Sequence, residues 1–175
     1  SSDLKGLVII ELTTVDKTSS FVELVIKDVE IDILGQESID QNHTQEIVDL
    51  GRLMIAADSL GAAQVMINKS VSYSKERKQF GRVIGSFQAV KHMCAEMTAN
   101  IEPCYSLIWY TAHCLDHIPE ESHLMASHCK THVSEVASSI AKTAPEVHGG
   151  MGFTDELGLH YWFKSIGWNV GYCLS

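Results

Sequence analysis

Four basic side chains surround one aromatic residue in a short segment of the chain: Lys75, Arg77, Lys78 and Arg82 lie around Phe80. A guanidinium can bind a phosphate through two hydrogen bonds, and an aromatic ring can line a flat ring system. The same charges could instead compensate the dipole at the C-terminal end of a helix. The segment therefore predicts either an anion-binding site or a charge-compensated helix end.

A second segment, Glu146–Thr154, is rich in glycine and has the sequence Glu-Val-His-Gly-Gly-Met-Gly-Phe-Thr. Small residues let backbone N–H groups approach an anion, and the N-terminus of a following helix would add a favourable dipole. A segment of this kind is also an ordinary turn between two helices. Its composition therefore leaves two interpretations open, an anion-binding loop and a plain connection.

Two histidine pairs, His113/His117 and His128/His132, have the i,i+4 spacing of two metal ligands on one helix face. The Glu-x-x-His pattern of bundles that hold two metal ions does not accompany them. We therefore expect these histidines to be polar side chains that face solvent, and we expect no metal site.

The composition predicts one folded domain with a specific anionic ligand. The chain has 175 residues, of which 45% are hydrophobic and 20% charged, which is enough for one substantial core. A net charge of -9 argues against general binding to nucleic acid or to an anionic membrane. Residues 51–92 nevertheless carry seven basic and two acidic side chains, whereas the segments on both sides are acidic.

The apolar runs and the cysteines indicate in which cellular compartment the protein is expected. The longest runs, such as Leu53–Leu60, are interrupted by Asp58 well before membrane-spanning length. Asp58 stands where a small residue would be expected, and it indicates either a capped cavity or a contact with a ligand. The five cysteines are odd in number and include no Cys-x-x-Cys pair. We therefore expect a soluble protein in a reducing compartment, the cytoplasm or, in a eukaryote, the mitochondrial matrix.

The elements that would position these residues begin with two β-strands. Residues 7–12 and 21–33 are rich in β-branched residues, and the second run alternates apolar with acidic residues. The polar stretch from Gln36 to Gln45 predicts a linker. Beyond it the apolar period changes from two to about 3.6.

The rest of the chain predicts four helices. The first covers about 44–78, with Thr44 as N-cap and Ile47, Leu50 and Met54 on its apolar stripe. The second follows Phe87 and contains Pro103, which should kink it. The third begins after Pro119 and ends at Gly149, and the fourth begins at Thr154 or Asp155. Short connections between long helices predict a mainly α fold, an up-and-down four-helix bundle preceded by short strands.

Two motifs in this order resemble the C-terminal helical domain of the acyl-CoA dehydrogenase family of flavoenzymes. They are Glu-Arg-Lys-Gln-Phe-Gly at 76–81, followed by Phe87-Gln88, and Gly-Gly-Met-Gly at 149–152. The resemblance covers nearly the whole chain. It implies that residues 1–37 are the end of a neighbouring, middle β domain and that residues 44–175 form the helical bundle.

The resemblance also implies a cofactor, FAD, and roles for individual residues. Arg77 would bind the flavin pyrophosphate, Phe80 would pack near the cofactor and Gln88 would hydrogen-bond its adenosine part. The Gly149-Gly150 loop would approach an FAD held mainly by a neighbouring subunit. The domain would then be an oligomerisation unit, homo- or hetero-oligomeric, with a dimer of dimers expected.

In this family a carboxylate removes the α-proton of an acyl-CoA substrate while the β-hydrogen leaves as hydride to the flavin. A separate acceptor, such as electron-transfer flavoprotein, then reoxidises the flavin. The resemblance places Arg52 near the reaction centre, as a substrate-binding residue. No nucleic acid or membrane partner is expected.

The sequence departs from the family pattern at the catalytic base and beside the pyrophosphate. Gly51 and Cys173 occupy the two positions at which the family carries its glutamate. Glycine cannot act as a base, and a thiol with an ordinary pKa of about 8.5 is a poor one at neutral pH. Glu146 stands where the family usually has glutamine, and its charge would repel the phosphates.

The segments 148–156 and 160–164 resemble a bacterial subgroup that contains subunits of heteromeric dehydrogenases. In some of those pairs one subunit lacks the base and its partner supplies it. The sequence therefore leaves two interpretations open: the C-terminal part of an active acyl-CoA dehydrogenase, and a catalytically deficient or noncatalytic subunit or interaction module of a heteromeric dehydrogenase.

Overall fold

A computed structural model describes residues 6–30 and 41–171 of the chain. Its first element is an antiparallel hairpin of β1 (Leu7–Leu12) and β2 (Phe21–Ile26), with Leu7 opposite Ile26. β2 is shorter than predicted, because residues 27–30 are not in a strand and 31–33 lie outside the described residues. The physical reason is that the partner strand begins at Leu7, and that Asp28 adopts a left-handed φ of 50°.

The predicted four-helix bundle is confirmed. The helices are α1 (Gln41–Glu76), α2 (Gln88–His117), α3 (Pro119–His148) and α4 (Leu159–Gly171). α2 and α3 are separated by Ile118 alone, and Pro119 opens α3 at a position where its missing N–H has no cost. α1 packs against the three other helices, and α3 packs against α2 and α4.

Two predicted helix starts are wrong. α1 begins at Gln41, so Thr44 lies inside the helix and is not its N-cap, and residues 41–45 are not a linker. A polar first turn cannot be distinguished from a polar linker by composition. α4 begins at Leu159, because Asp155–Leu157 form a separate 3₁₀ turn that ends at Gly158, in the left-handed conformation.

The core lies between α1, α2, α3 and α4. Its largest fully buried apolar side chains come from all four helices: Met66, Ile101, Val133, Ile140, Leu159 and Ile166. Small residues such as Ala56, Ala63 and Ala137 lie among them and allow the helices to approach closely. Burial raises the pKa of the Cys104 and Cys129 thiols in this core, which makes them poor nucleophiles.

The predicted stripe of the first helix is partly wrong. Ile47, Leu50 and Met54 are 73%, 53% and 63% exposed, although Leu60 and Ile67 of the same helix are buried. The apolar residues of α1 are not confined to one stripe, and those that pack in the bundle include Leu53, Ala56 and Met66. Leu124, on α3, is also exposed.

α1 is long and apolar enough over His43–Glu76 to cross a membrane by length and composition alone. This is weak evidence for a membrane span, because the core helix of a bundle passes the same test. Leu53, Ala56, Leu60 and Met66 of this helix are buried in the bundle. α2 continues across Pro103, which lies on its exposed side, and the predicted kink there stays a prediction.

Candidate functional site

The basic segment forms a tight hairpin at the C-terminal end of α1. Strands β3 (Lys78–Gln79) and β4 (Arg82–Val83) pair on either side of Phe80 and Gly81. Both turn residues have positive φ, 53° and 77°, as a two-residue turn of the mirror-image type requires. This conformation is unusual for phenylalanine, and it leaves the Phe80 side chain 91% exposed at the tip.

Backbone hydrogen bonds fix Arg77 between the helix and the hairpin. Its N–H donates to the carbonyl of Tyr73 at 2.9 Å, and its own carbonyl accepts from the N–H of Ile84 at 2.8 Å. The Arg77 side chain is exposed. A second guanidinium, that of Arg82, lies 4.0 Å from the ring centroid of Phe87 and supports the hairpin from the other side.

The glycine-rich segment forms a 3₁₀ turn, Gly149–Phe153, directly after α3. Gly149 has a φ of 61°, a backbone conformation that favours glycine. Among the described residues, apart from their immediate chain neighbours, no atom lies within 4 Å of the position that a Cβ would take at Gly149 or at Gly150, so both residues border open space. A ligand can therefore approach this backbone closely.

An aromatic contact brings the hairpin and the glycine turn together. The rings of Tyr73, on α1, and His148, at the end of α3, have centroids 4.6 Å apart. His148 is buried, and its Nδ1 lies 2.7 Å from the carbonyl oxygen of Ala144. The contact ties the C-terminal ends of two helices to each other.

Between the hairpin and the glycine turn lies a cleft of about 550 Å³, which we call the two-motif cleft. Five of the six predicted cofactor-binding residues line it: Arg77, Phe80, Glu146, Gly149 and Gly150. Gln88, the sixth, is exposed at the first residue of α2 and does not line the cleft. The structure thus joins two motifs that lie about 70 residues apart in the sequence.

No individual role was predicted for the residues that complete the walls of the two-motif cleft. They are Tyr73, Gln79, Ile84, Phe87, Val90, Val147, His148 and Met151. Five of them lie inside the quoted motifs, and Tyr73, Ile84 and Val90 lie within three residues of a motif, so position in the sequence was the available signal. A groove of about 600 Å³ on the outer side of α3, near Ser134 and Ser138, is slightly larger, but no predicted site residue lines it.

The predicted substrate residue Arg52 lies in a polar network between α1 and α3, whose buried member is Asp49. Its Nη1 donates to Asp49 Oδ1 at 2.8 Å and to Ser127 Oγ at 3.3 Å. Asp49 is 2% exposed, and it also accepts a hydrogen bond from Gln45 Nε2 at 3.1 Å. His123 Nδ1 lies 3.1 Å from both carboxylate oxygens of Asp49. No local pattern in the sequence indicates this network beyond Arg52 itself.

Of the two positions at which the family carries its catalytic base, the structure describes one, Gly51. Gly51 is half-buried on α1, and within the described part of the chain no atom beyond the adjacent residues and backbone of α1 lies within 4 Å of the position a Cβ would take there. Cys173 lies outside the described residues. No candidate base is therefore described at either position.

The histidine pairs do not converge with other ligands. The rings of His113 and His117 stack with centroids 4.6 Å apart, and those of His128 and His132 lie 6.3 Å apart. Within residues 6–30 and 41–171, no group of three or more His, Cys, Asp or Glu side chains is arranged to hold a metal ion.

Comparison with known proteins agrees with the helical bundle. Residues 42–167 match the family model for the acyl-CoA dehydrogenase C-terminal domain. The caffeyl-CoA reductase–Etf complex subunit CarC of Acetobacterium woodii is 32% identical over 77% of this chain and 36% of its own length. The short-chain-specific acyl-CoA dehydrogenase of Megasphaera elsdenii is 32% identical over 79% of this chain and 37% of its own.

Among solved structures, the butyryl-CoA dehydrogenase of Megasphaera elsdenii superimposes with a TM-score of 0.91 at 26% identity. The match covers 99% of this chain and 46% of that one. The chain therefore belongs to the acyl-CoA dehydrogenase family and has the fold of its C-terminal helical domain. It spans between about a third and a half of the length of these relatives.

The family is FAD-dependent, and the residues of the two-motif cleft suit such a ligand. The open backbone of Gly149 and Gly150 leaves room for a phosphate that a Cβ would obstruct. Arg77 supplies a cation and Phe80 an exposed aromatic ring beside it. Of the carboxylates in the described residues, Glu146 alone lines the cleft, and its charge opposes an anionic ligand.

Proposed function

We propose that this chain is the C-terminal part of an FAD-dependent acyl-CoA dehydrogenase, which introduces an α,β double bond into an acyl-CoA thioester. The observation that supports this best is the two-motif cleft, where Arg77, Phe80 and the Gly149-Gly150 turn meet. When bound, FAD would accept the β-hydrogen of the substrate as hydride.

In this proposal the residues of the cleft hold the adenosine diphosphate half of the cofactor. Arg77 binds the pyrophosphate through charge-assisted hydrogen bonds, and Phe80 packs against the cofactor. The N–H groups of Gly149 and Gly150 approach it without obstruction by a side chain. Gln88 binds the adenosine from the start of α2, outside the described lining of the cleft.

Most of the FAD would be held by a neighbouring subunit, so the proposed protein is an oligomer, a dimer of dimers. Exposed aromatic side chains on α2 and α4, such as Trp109 and Phe163, are consistent with further contacts. We further propose an acceptor of the electron-transfer flavoprotein type and a reducing compartment. The relative from Acetobacterium woodii is itself named as a subunit of an Etf complex.

At the reaction centre we propose that Arg52 contacts the substrate or orients the groups that do. Asp49 and Ser127 hold the Arg52 side chain in one position, because both accept hydrogen bonds from its Nη1. The α-proton would be removed by a base outside the described residues or on a partner subunit.

The second candidate is a catalytically deficient subunit of a heteromeric dehydrogenase. The observation in its favour is Gly51, which places no side chain at one of the two base positions. The two candidates differ in activity: the first predicts that the FAD-loaded full-length homomer reduces an artificial acceptor with acyl-CoA. The second predicts activity only after a partner subunit is added.

The cofactor role of Arg77 is tested by Arg77→Ala in the full-length protein. Loss of a charge-assisted hydrogen bond should weaken FAD binding about 10- to 100-fold, which equilibrium dialysis with flavin absorbance would measure. Lys75→Ala is the matched control, because Lys75 is an exposed cation on the same helix end that does not line the two-motif cleft. Equal FAD affinity in both variants would refute the pyrophosphate role.

A further inference from the structure

A hydrogen bond between two polar side chains joins α1 to α4. Asn169 Nδ2 donates to Asp58 Oδ2 at 2.7 Å, across 111 positions of sequence. Asp58 is exposed and Asn169 is half-buried. The pair accounts for Asp58, which interrupts an otherwise apolar stretch of α1.

Asp58 lies on the same face of α1 as Gly51. The two residues are seven positions apart, which is close to two full turns, or about 10 Å along the helix axis. Ile55 lies between them on this face and is half-buried. The space in front of Gly51 is open. A chain that extends along α1 from Gly51 would therefore reach the Asp58–Asn169 pair.

Within the described part of the chain, the Asp58 carboxylate accepts one side-chain hydrogen bond, from Asn169, and has no cationic partner. No lysine, arginine or histidine there forms an ion pair with it. A carboxylate that accepts from one amide retains unused lone pairs. If substrate covers this face, the carboxylate loses water, which is costly unless another donor replaces that water.

We propose that the Asp58–Asn169 pair recognises a hydrogen-bond donor, a hydroxyl or an ammonium group, on the acyl part of the substrate, well beyond the thioester. This inference rests on the proposed function, because it takes the Gly51 face of α1 as the site of the reacting acyl group. A plain aliphatic chain would leave the carboxylate without a replacement for its water. A donor-bearing chain supplies one, so the pair selects for it.

The test measures binding of unreactive thioethers to the full-length, FAD-loaded protein by calorimetry. The probes are S-octyl-CoA and its ω-hydroxy and ω-amino counterparts, which differ only at the distal end. We expect at least one donor-bearing probe to bind about tenfold more tightly than S-octyl-CoA, because a hydrogen bond to a charged group replaces lost water. Whichever of the two donor-bearing probes binds more tightly shows whether the pair prefers a hydroxyl or an ammonium group.

Asp58→Ala should abolish this preference by weakening the donor-bearing probes and strengthening S-octyl-CoA. Asp116→Ala, the removal of an exposed carboxylate on α2, is the matched control and should keep the preference. Equal affinity of all three probes for the wild-type protein would overturn the inference while leaving the proposed function in place. If FAD binds and no probe does, the proposed acyl-CoA site is wrong, and the inference fails with it.

Discussion

Glu146 is the residue whose charge suits the proposed cofactor least. It lines the two-motif cleft together with Arg77, and its side chain is exposed to solvent. Exposure lowers the cost of this charge, because solvent screens most of its repulsion of a nearby phosphate. The carboxylate can therefore persist beside an anionic ligand at a reduced affinity.

Glu146→Gln should tighten FAD binding about two- to fivefold, because it removes a repulsion of about 0.5–1 kcal/mol and keeps the size of the side chain. Flavin titration of the full-length apoprotein measures the change. Glu135→Gln is the control, since Glu135 is also exposed on α3 but lies on the other groove. Unchanged or weaker binding in Glu146→Gln would show that Glu146 does not face the phosphates.

Much of the two-motif cleft could be predicted from single residues, because its members lie in two short motifs with recognisable chemistry. Arg77, Phe80 and Gly149 were found in this way. The network of Asp49, Arg52 and His123 could not be found in the same manner. It joins side chains more than 70 positions apart, and no local pattern records which helix faces meet.

At the scale of elements, a buried lysine holds the end of α4 against α3. Lys130 is 1% exposed, and its Nζ donates to the carbonyl oxygens of Asn169 at 2.7 Å and Val170 at 3.4 Å. It also donates to Ser134 Oγ at 3.1 Å. The last carbonyls of a helix lack partners within it, so a cation placed there satisfies them and complements the helix dipole.

Lys130→Met should lower the free energy of unfolding by about 2–4 kcal/mol, because it leaves the half-buried carbonyl groups at the end of α4 without this donor. Urea denaturation of the full-length protein, followed by tryptophan fluorescence, measures the loss. Lys142→Met, on the exposed side of the same helix, should change stability by less than about 0.5 kcal/mol. A similar small effect in both variants would contradict the role of Lys130.

The number and type of the long helices were predictable because their apolar period extends over many turns. The ends of these helices and the faces that they bury were less predictable from the sequence. The start of α1 at Gln41 depends on a polar turn, and the exposure of Met54 depends on which of several apolar faces finds a partner. Both are decided by tertiary contacts that composition does not specify.

On the scale of the whole molecule, the uneven charge agrees with the proposed ligand. The protein carries a net charge of -9, yet residues 51–92, which include most of α1 and the hairpin, carry seven basic and two acidic side chains. A cation near the cleft attracts an anion more strongly when the intervening solution contains little salt.

FAD affinity should therefore fall several-fold between about 0.01 M and 1 M ionic strength, as the Debye length shortens from about 30 Å to about 3 Å. Titration of the full-length apoprotein at a series of NaCl concentrations measures the slope. The slope should be smaller in Arg77→Ala, which lacks the principal cation. An affinity that does not change with salt would indicate that the cleft binds its ligand without charge attraction.

The hairpin of β1 and β2 exposes apolar side chains, among them Val8, Ile9, Val22 and Leu24. A two-stranded hairpin is marginally stable by itself, and apolar side chains on both faces require cover. On the hairpin, the Phe21 ring of β2 contacts the Trp168 ring of α4, and the ring centroids are 4.5 Å apart. A larger β domain that includes residues 1–37 would supply this cover, and that assignment stays a prediction.

The contact between Tyr73 and His148 places both walls of the two-motif cleft on helices that are already packed together. A ligand in the cleft would then bind the folded bundle and not the unfolded chain. Its binding energy would add to the stability of the bundle, by about 2.7 kcal/mol at a free concentration one hundred times its dissociation constant. The cofactor would thus serve as a structural element whose supply sets how much of the protein stays folded.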